Sequence, residues 1–200
     1  MWRIGLTGSI ATGKSTVLKA FADLGVPVFS ADAAVAELYA GDAVEAVDAL
    51  FPGVARHGVI DRAALSQRLA ADPTGFARLE AVVHPLVRAR IAAFLDKAAA
   101  QGHALAVVEV PLLFESGYDY GFDAVGVTWV DPAIQRQRAL ARPAMSGEKL
   151  DAILARQLPQ DDKKAKATYL FDTGLPIDRT VGMVAALVAA IRAGKPKNEP

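Results

Sequence analysis

The sequence predicts a three-layer α/β fold built on a parallel five-stranded sheet, with a helical subdomain and a helical lid. Three observations carry that expectation. Gly8-Ser9-Ile10-Ala11-Thr12-Gly13-Lys14-Ser15-Thr16 fits the pattern G-x-x-x-x-G-K-[ST] at every specified position, between an apolar strand pattern and a helical one. Five short apolar segments, at 2–7, 26–29, 104–110, 124–130 and 168–171, read as strands with helical patterns between them. The helical pattern from about 33 to 101 is too long for one crossover, so part of it is expected to form a subdomain.

The chemistry of a phosphate ligand explains the spacing in the glycine loop. Gly8 and Gly13 bracket a turn whose backbone N–H groups face inward and cradle phosphates. Lys14 adds a mobile charge for the β and γ phosphates, and the Ser15 hydroxyl is placed to ligate Mg²⁺. Downstream, Val17, Leu18, Phe21 and Leu24 fall on one helical face until Gly25 stops it, and the positive end of that helix points at the loop. A nucleoside triphosphate is the expected ligand.

The composition limits the alternatives. The 200 residues are 52% hydrophobic, enough for one α/β unit with a small inserted subdomain. Lys+Arg and Asp+Glu balance at 22 each, so no global field attracts nucleic acid or membrane, and positive charge for a polyanion must be local. There is no cysteine, which excludes disulfides, thiolate catalysis and Cys-based zinc sites and fits a reducing cytoplasm. The first strand begins almost at once, leaving no room for a signal peptide, and no apolar run reaches the roughly 18 residues that span a bilayer. A soluble, cytoplasmic protein is expected, with residues 195–200 as a frayed polar tail.

Asp32 follows the second strand, on the rim outside the carboxyl ends of parallel strands, where ligands bind. A carboxylate there suits accepting a proton from an attacking hydroxyl or orienting Mg²⁺ through water; the alternative is a cap for a helix beginning at Ala33. Phe51-Pro52-Gly53 and His57-Gly58 break the long helical stretch, and Asp61 caps the helix carrying Leu65 and Leu69. Phe76, Leu79, Val82 and Val83 form another apolar face. Pro85 is expected to start a new helix, with Leu86, Ile91, Phe94 and Leu95 buried. Taken alone, His84 reads as a turn or capping residue and Arg88 as a solvated helix charge.

Glu109 interrupts the valine-rich segment 104–110 near its carboxyl end, suiting either contact with Mg²⁺ or a salt bridge in the rim. Asp131-Pro132 marks a helix start, and Ser146 opens another helix with Leu150, Ile153 and Leu154 on one side. Arg136, Arg138, Arg142, Arg156, Lys163, Lys164 and Lys166 accumulate here, as on a lid over phosphates, with solvated helix faces as the alternative. Asp172-Thr173-Gly174 is a turn, and Val181, Val184, Leu187, Val188 and Ile191 form the inner face of the closing helix.

Several segments together resemble the ordered motif series of the dephospho-CoA kinase family over nearly the whole chain. They are Ile4-Gly-Leu-Thr-Gly-Ser-Ile-Ala-Thr-Gly-Lys-Ser-Thr16, Ser30-Ala-Asp32, Gly58-Val-Ile-Asp-Arg62, His84-Pro-Leu-Val-Arg88 and Val110-Pro-Leu-Leu-Phe-Glu115. The resemblance implies a P-loop NTPase-type fold and ATP-dependent phosphorylation of the ribose 3′-hydroxyl of dephospho-CoA, the last step of coenzyme A synthesis. It implies one domain with a nucleotide core at about 1–32, 103–134 and 167–194, a substrate subdomain at about 33–101 and a lid at about 135–166. The implied catalytic residues are Asp32, which activates the hydroxyl, Lys14, Arg138 and Arg142. The resemblance further implies that ATP is bound by Gly8, Ala11, Thr12, Gly13, Lys14, Ser15, Thr16 and Arg142, with Asp172 and Gly174 beside the adenine. On the same basis substrate is expected to meet Asp32, His84, Arg88 and Leu112, and Ser15 and Glu109 are expected to hold Mg²⁺, directly or through water.

The small-molecule substrates ATP and dephospho-CoA are the implied partners of a monomer, without nucleic acid or membrane. Against the commoner family pattern, Ser30 stands for aspartate, Asp172 for asparagine, Thr168 for aspartate, and Ser9 and Ala11 for loop glycines. Alanine tolerates positive φ poorly, so Ala11 is expected to hold an ordinary conformation. A kinase for a nucleoside monophosphate or a sugar acid is the runner-up, and a non-catalytic nucleotide-binding regulator comes third. A GTP switch would carry an Asn-Lys-x-Asp motif, whereas the sole asparagine is Asn198.

Overall fold

A computed structural model describes residues 1–72 and 74–194; the expected polar tail with Asn198 lies outside the described residues. The strands that carry the nucleotide motif form one sheet in the order β2-β5-β1-β6-β7. These are β1 (Trp2–Gly8), β2 (Val28–Ser30), β5 (Leu105–Glu109), β6 (Ala124–Trp129) and β7 (Tyr169–Asp172). The ladders β1–β5, β1–β6 and β6–β7 are parallel. Every residue of β5 is buried, as in a strand covered on both faces. Its register sets Glu109 opposite Leu6, and β6 sets Thr128 opposite Gly8, so the carboxyl ends of three strands meet at the glycine loop.

Two compact units divide the chain, one of residues 1–29 and 95–200, the other of 30–94. In the first, α1 (Lys14–Asp23) and α9 (Ile177–Arg192) supply one side of the main core. Ile4 and Leu6 of β1 pack there with Val17, Phe21, Phe171, Val184 and Val188. Phe21 and Phe171 meet edge to face at 6.0 Å, and each such ring contributes about 1.5–3 kcal/mol by burial. The Phe171 ring lies so close over Gly126 that an added Cβ would sit 2.7 Å from Cε2; Gly5 faces Phe122 in the same way, at 2.5 Å from Cδ2. Val181, expected inside, is 39% exposed. The buried stripe of α9 runs instead through Thr180, Val184, Val188 and Ile191, and the Thr180 hydroxyl is accommodated by donating to the Asp172 carbonyl.

The unit of residues 30–94 holds α2 (Ala31–Leu38), α3 (Val44–Leu50), α4 (Arg62–Ala70) and most of α5 (Gly75–Ala100). It also contains a hairpin of β3 (Ala55–Arg56) and β4 (Val59–Ile60), where only a break is legible in the sequence. His57 and Gly58 have φ of 52° and 79°, the two-residue turn whose twist suits antiparallel strands. Asp61 caps α4 as expected, accepting from Ala63 and Ala64 N–H, over buried Leu65 and Leu69.

Pro85 does not start a helix; it lies inside α5, which is continuous. Leu79, Val83, Val87 and Ile91 are all buried along one face across the proline. At about 1.5–3 kcal/mol each, they outweigh the roughly 3 kcal/mol that an interior proline costs. Leu86 and Phe94 are only half-buried and Phe76 is 39% exposed, because a spacing of four residues, not the clusters 76–83 and 86–95, defines the inner face.

Candidate active site

β1 delivers the chain into the loop at Gly8, where a side chain has no room: an added Cβ would lie 2.2 Å from Thr128 Oγ1. Gly13, at φ 82°, is the left-handed residue at the start of α1, and a Cβ there would meet Thr173 at 3.0 Å. Contrary to expectation, Ala11 is also left-handed, with φ 60°. Its methyl group is buried in a cluster with Ala139 and Leu150, flanked by Ile10, Met145 and Leu154. The left-handed backbone costs roughly 1–2 kcal/mol, and burying one methyl returns about 0.8 kcal/mol, so packing offsets much of the strain.

Hydroxyl groups brace the loop. Thr12 Oγ1 donates to the Ser9 carbonyl at 2.8 Å and shares a hydrogen bond with Thr128 Oγ1, also at 2.8 Å, while the Thr128 hydroxyl lies 3.3 Å from the Thr7 carbonyl. Lys14 Nζ lies back over the turn, donating to the carbonyls of Gly8 and Ser9 at 2.9 and 3.1 Å. Ser15 is exposed and Thr16 half-buried in the first turn of α1.

Beyond β7, Asp172 Oδ1 accepts from Gly174 N–H at 2.8 Å and closes the expected turn. Its middle residue, Thr173, ties the turn to the glycine loop, a contact that sequence reasoning missed. The Thr173 hydroxyl donates to the Thr12 carbonyl at 2.9 Å, and Arg138 donates to both the Thr173 carbonyl and hydroxyl, at 2.8 and 3.2 Å. No local pattern separates a hydroxyl that reaches across the sheet from an ordinary turn threonine. Arg142 is exposed on the turn after α6 (Pro132–Leu140).

On the acidic side, Glu109 is only 7% exposed, at the end of β5. The next residues stay on the rim: Val110 N–H donates to the Leu6 carbonyl, Thr7 Oγ1 donates to the Pro111 carbonyl, and Leu112 is 40% exposed. Glu115 then pairs with Lys163 at 2.7 Å and accepts from Leu158 N–H at 2.9 Å. Lys163 therefore is not part of a solvated lid charge; it is completely buried in α8 (Gln160–Ala165). Of the other expected lid cations, Arg136 pairs with Asp151, while Lys164 pairs with Asp161 and lies over the Trp129 ring.

Burial alone would raise the Glu115 carboxyl pKa, but the Lys163 ammonium and the Leu158 N–H outweigh it and hold the group below its ordinary value. A depressed carboxylate contributes stability above the unfolded value of about 4.3, and that stability is lost as pH falls through the folded value. Urea unfolding from pH 7 down to pH 3 should therefore show an acid loss of stability that Glu115→Gln flattens. An identical acid limb in the variant would remove this pair from acid denaturation.

In the other unit, the structure assigns the helix cap to Ser30, whose hydroxyl accepts from Ala33 N–H at 3.4 Å, and not to Asp32. α2 begins at Ala31, leaving Asp32 exposed in its first turn, where a carboxylate suits the helix dipole and needs no capping role. His84 is in neither a turn nor a cap. It shares a face of α5 with Arg88, four residues on, and both are half-buried. Arg90, which the sequence did not single out, pairs with Glu37 and Asp42 at 2.8 and 2.9 Å.

Strand, glycine-bracketed loop, lysine and helix make the chain a phosphate-loop α/β protein. Among solved structures, TT1252 from Thermus thermophilus is similar at 30% identity and TM-score 0.80, covering 94% of this chain and 96% of that one. Dephospho-CoA kinase from Campylobacter jejuni shares the fold at 23% identity and TM-score 0.72, over 96% and 98% of the two chains. Dephospho-CoA kinase of Rhizobium etli is 48% identical over 192 residues, covering 96% of this chain and 95% of the relative. That of Rhodopseudomonas palustris is 50% identical over 175 residues, 88% of each. The family model described as dephospho-CoA kinase matches residues 2–176. The chain belongs to the dephospho-CoA kinase family.

Proposed function

We propose that the chain transfers the γ-phosphoryl group of ATP to the ribose 3′-hydroxyl of dephospho-CoA, giving coenzyme A and ADP. The family's reaction, ATP-dependent phosphorylation of dephospho-CoA at the end of coenzyme A synthesis, is the reaction of this chain. The observation that carries the reading is the loop from Gly8 to Ser15, with Lys14 Nζ folded over it, in a chain matched by that family over residues 2–176.

The 3′-oxygen attacks the γ phosphorus, the bond from that phosphorus to the oxygen bridging to the β phosphate breaks, and ADP leaves. Asp32 takes the hydroxyl proton. Lys14, Arg138 and Arg142 spread the charge of the transferring group, since phosphoryl transfer needs mainly positioning and charge stabilisation. The loop residues Gly8, Ala11, Thr12, Gly13, Lys14, Ser15 and Thr16 hold the ATP phosphates, with Asp172 and Gly174 at the adenine. His84, Arg88 and Leu112 bind the acceptor, so residues of about 33–101 form its subdomain and about 135–166 a lid.

Ser15 offers a hydroxyl oxygen and Glu109 a carboxylate at the same rim, a donor set that fits a hard cation. These two residues hold Mg²⁺, which neutralises phosphate charge when bound. We read the protein as a cytoplasmic monomer, the location in keeping with the lack of cysteine. Among the described residues, no helix is long and apolar enough to cross a membrane.

ADP release measured with a panel of acceptors tests the reading. Dephospho-CoA should stimulate it strongly, whereas nucleoside monophosphates, gluconate and shikimate should leave it near the level without acceptor. Strong stimulation by one of the latter, and none by dephospho-CoA, would overturn it.

A further inference from the structure

Ile10, the third residue of the phosphate loop, has both backbone groups held by glutamine side chains from outside the loop. Gln157 Oε1 accepts from Ile10 N–H at 3.0 Å, and Gln135 Nε2 donates to the Ile10 carbonyl at 2.8 Å. Fixed backbone groups determine which way each amide points. Val130 N–H donates to Gln160 Oε1 at 3.1 Å, so Gln160 Nε2 is the donor that reaches Gln135 Oε1 at 2.9 Å and the Val130 carbonyl at 3.1 Å. Gln135 then has only its Nε2 to offer Ile10.

One satisfied chain of amides thus runs from the end of β6 to the loop. Gln135 is 6% exposed, at a position where an aliphatic side chain would be buried without needing partners. The residue after Ile10 is Ala11, whose left-handed backbone is strained and persists only where its surroundings hold it.

We propose that Gln135, Gln157 and Gln160 are positioning residues for the phosphoryl donor. They fix the Ile10 peptide and, through it, the left-handed turn at Ala11 that directs the following N–H groups of the loop. The proposal rests on the reading of this loop as the ATP site. It makes the segment from α6 to α8 part of the donor-binding machinery independently of its arginines.

The test uses the full chain and three near-isosteric variants, Gln135→Met, Gln157→Met and Gln160→Met. Calorimetric ATP binding, KM for each substrate, kcat and urea midpoints are measured together. Losing one bond to Ile10 should raise both the Kd and the KM for ATP roughly tenfold, while the KM for dephospho-CoA stays unchanged. Gln160→Met touches no loop atom and should show the same ATP-selective change in weaker form.

Gln157→Glu keeps the acceptor and should recover ATP affinity at high ionic strength, where its added charge is screened; Gln135→Glu loses the donor and should not recover. Wild-type ATP affinity in the methionine variants, an equal rise in both KM values, a change in urea midpoint alone, or no recovery by Gln157→Glu would each overturn the proposal. Should Gln135→Met fail to fold, the half-buried Gln157 carries the test. A wild-type chain that binds no ATP would instead overturn the donor-site reading on which the proposal rests.

Discussion

Asp32→Asn should lower kcat by roughly 10²–10⁴-fold, the range for losing one proton-transfer group, and leave the Kd for ATP unchanged. The position lends itself to a clean measurement. Asp32 is exposed, and the cap of α2 is the Ser30 hydroxyl, so the substitution removes no cap. What it loses in stability is the first-turn charge term of about 0.3–1 kcal/mol, too little to unfold a domain of ordinary stability. Steady-state kinetics with dephospho-CoA, run beside an ATP titration, separates the two effects. A kcat within twofold of wild type would remove Asp32 from the proton-accepting role.

Lys14→Ala should instead damage both donor binding and turnover, with kcat falling by about 10²–10³-fold, as for removal of one preorganised charge-stabilising donor. The structural loss is small by comparison. Lys14 Nζ donates to two loop carbonyls, and such bonds contribute about 0.5–1.5 kcal/mol each. Thermal unfolding of the variant should therefore stay close to wild type while ATP binding weakens severely. Ordinary KM and kcat in Lys14→Ala would sink the assignment of the loop to phosphate.

The two substitutions also dissect the reaction: one is expected to spare the donor, the other to spare neither step. Their difference shows why the loop was legible in the sequence. A phosphate cradle needs glycine, lysine and a hydroxyl at fixed spacing, so function is written locally. The strands were legible for a different reason. Runs such as 104–110 are apolar throughout because both faces of the strand are covered. Helix starts at Asp61, Asp131 and Ser146 were marked by side chains that accept from the next turn's N–H groups.

What stayed hidden depends on partners distant in sequence. Lys163 looks like one more solvated lysine until Glu115 is seen beside it, and Thr173 looks like turn filler until its hydroxyl meets Thr12. The strands β3 and β4 have two residues each, too few to display alternation, and only the left-handed pair His57 and Gly58 hints at them. Pro85 and Ala11 each break a local rule: at Pro85 burial along α5 outweighs the backbone cost, whereas at Ala11 the buried methyl offsets only part of the strain and the surrounding loop contacts hold the rest. The glutamines around Ile10 gave no signal, because a polar residue on an amphipathic helix, as Gln135 and Gln160 are, or in a connection, as Gln157 is, reads as solvent-facing.

The rings laid over strand glycines carry a consequence for how this sequence can drift. At Gly126 an alanine methyl would collide with Phe171, although the backbone there is ordinary strand, and at Gly5 it would collide with Phe122. Neither glycine can acquire a side chain without displacing its ring, and trimming the buried Phe171 ring alone leaves a void worth about 3–5 kcal/mol. Positions 126 and 171, and likewise 5 and 122, are thus tied as size-complementary pairs. Viable descendants must change both members of a pair together, and the route between them passes through a weakened intermediate.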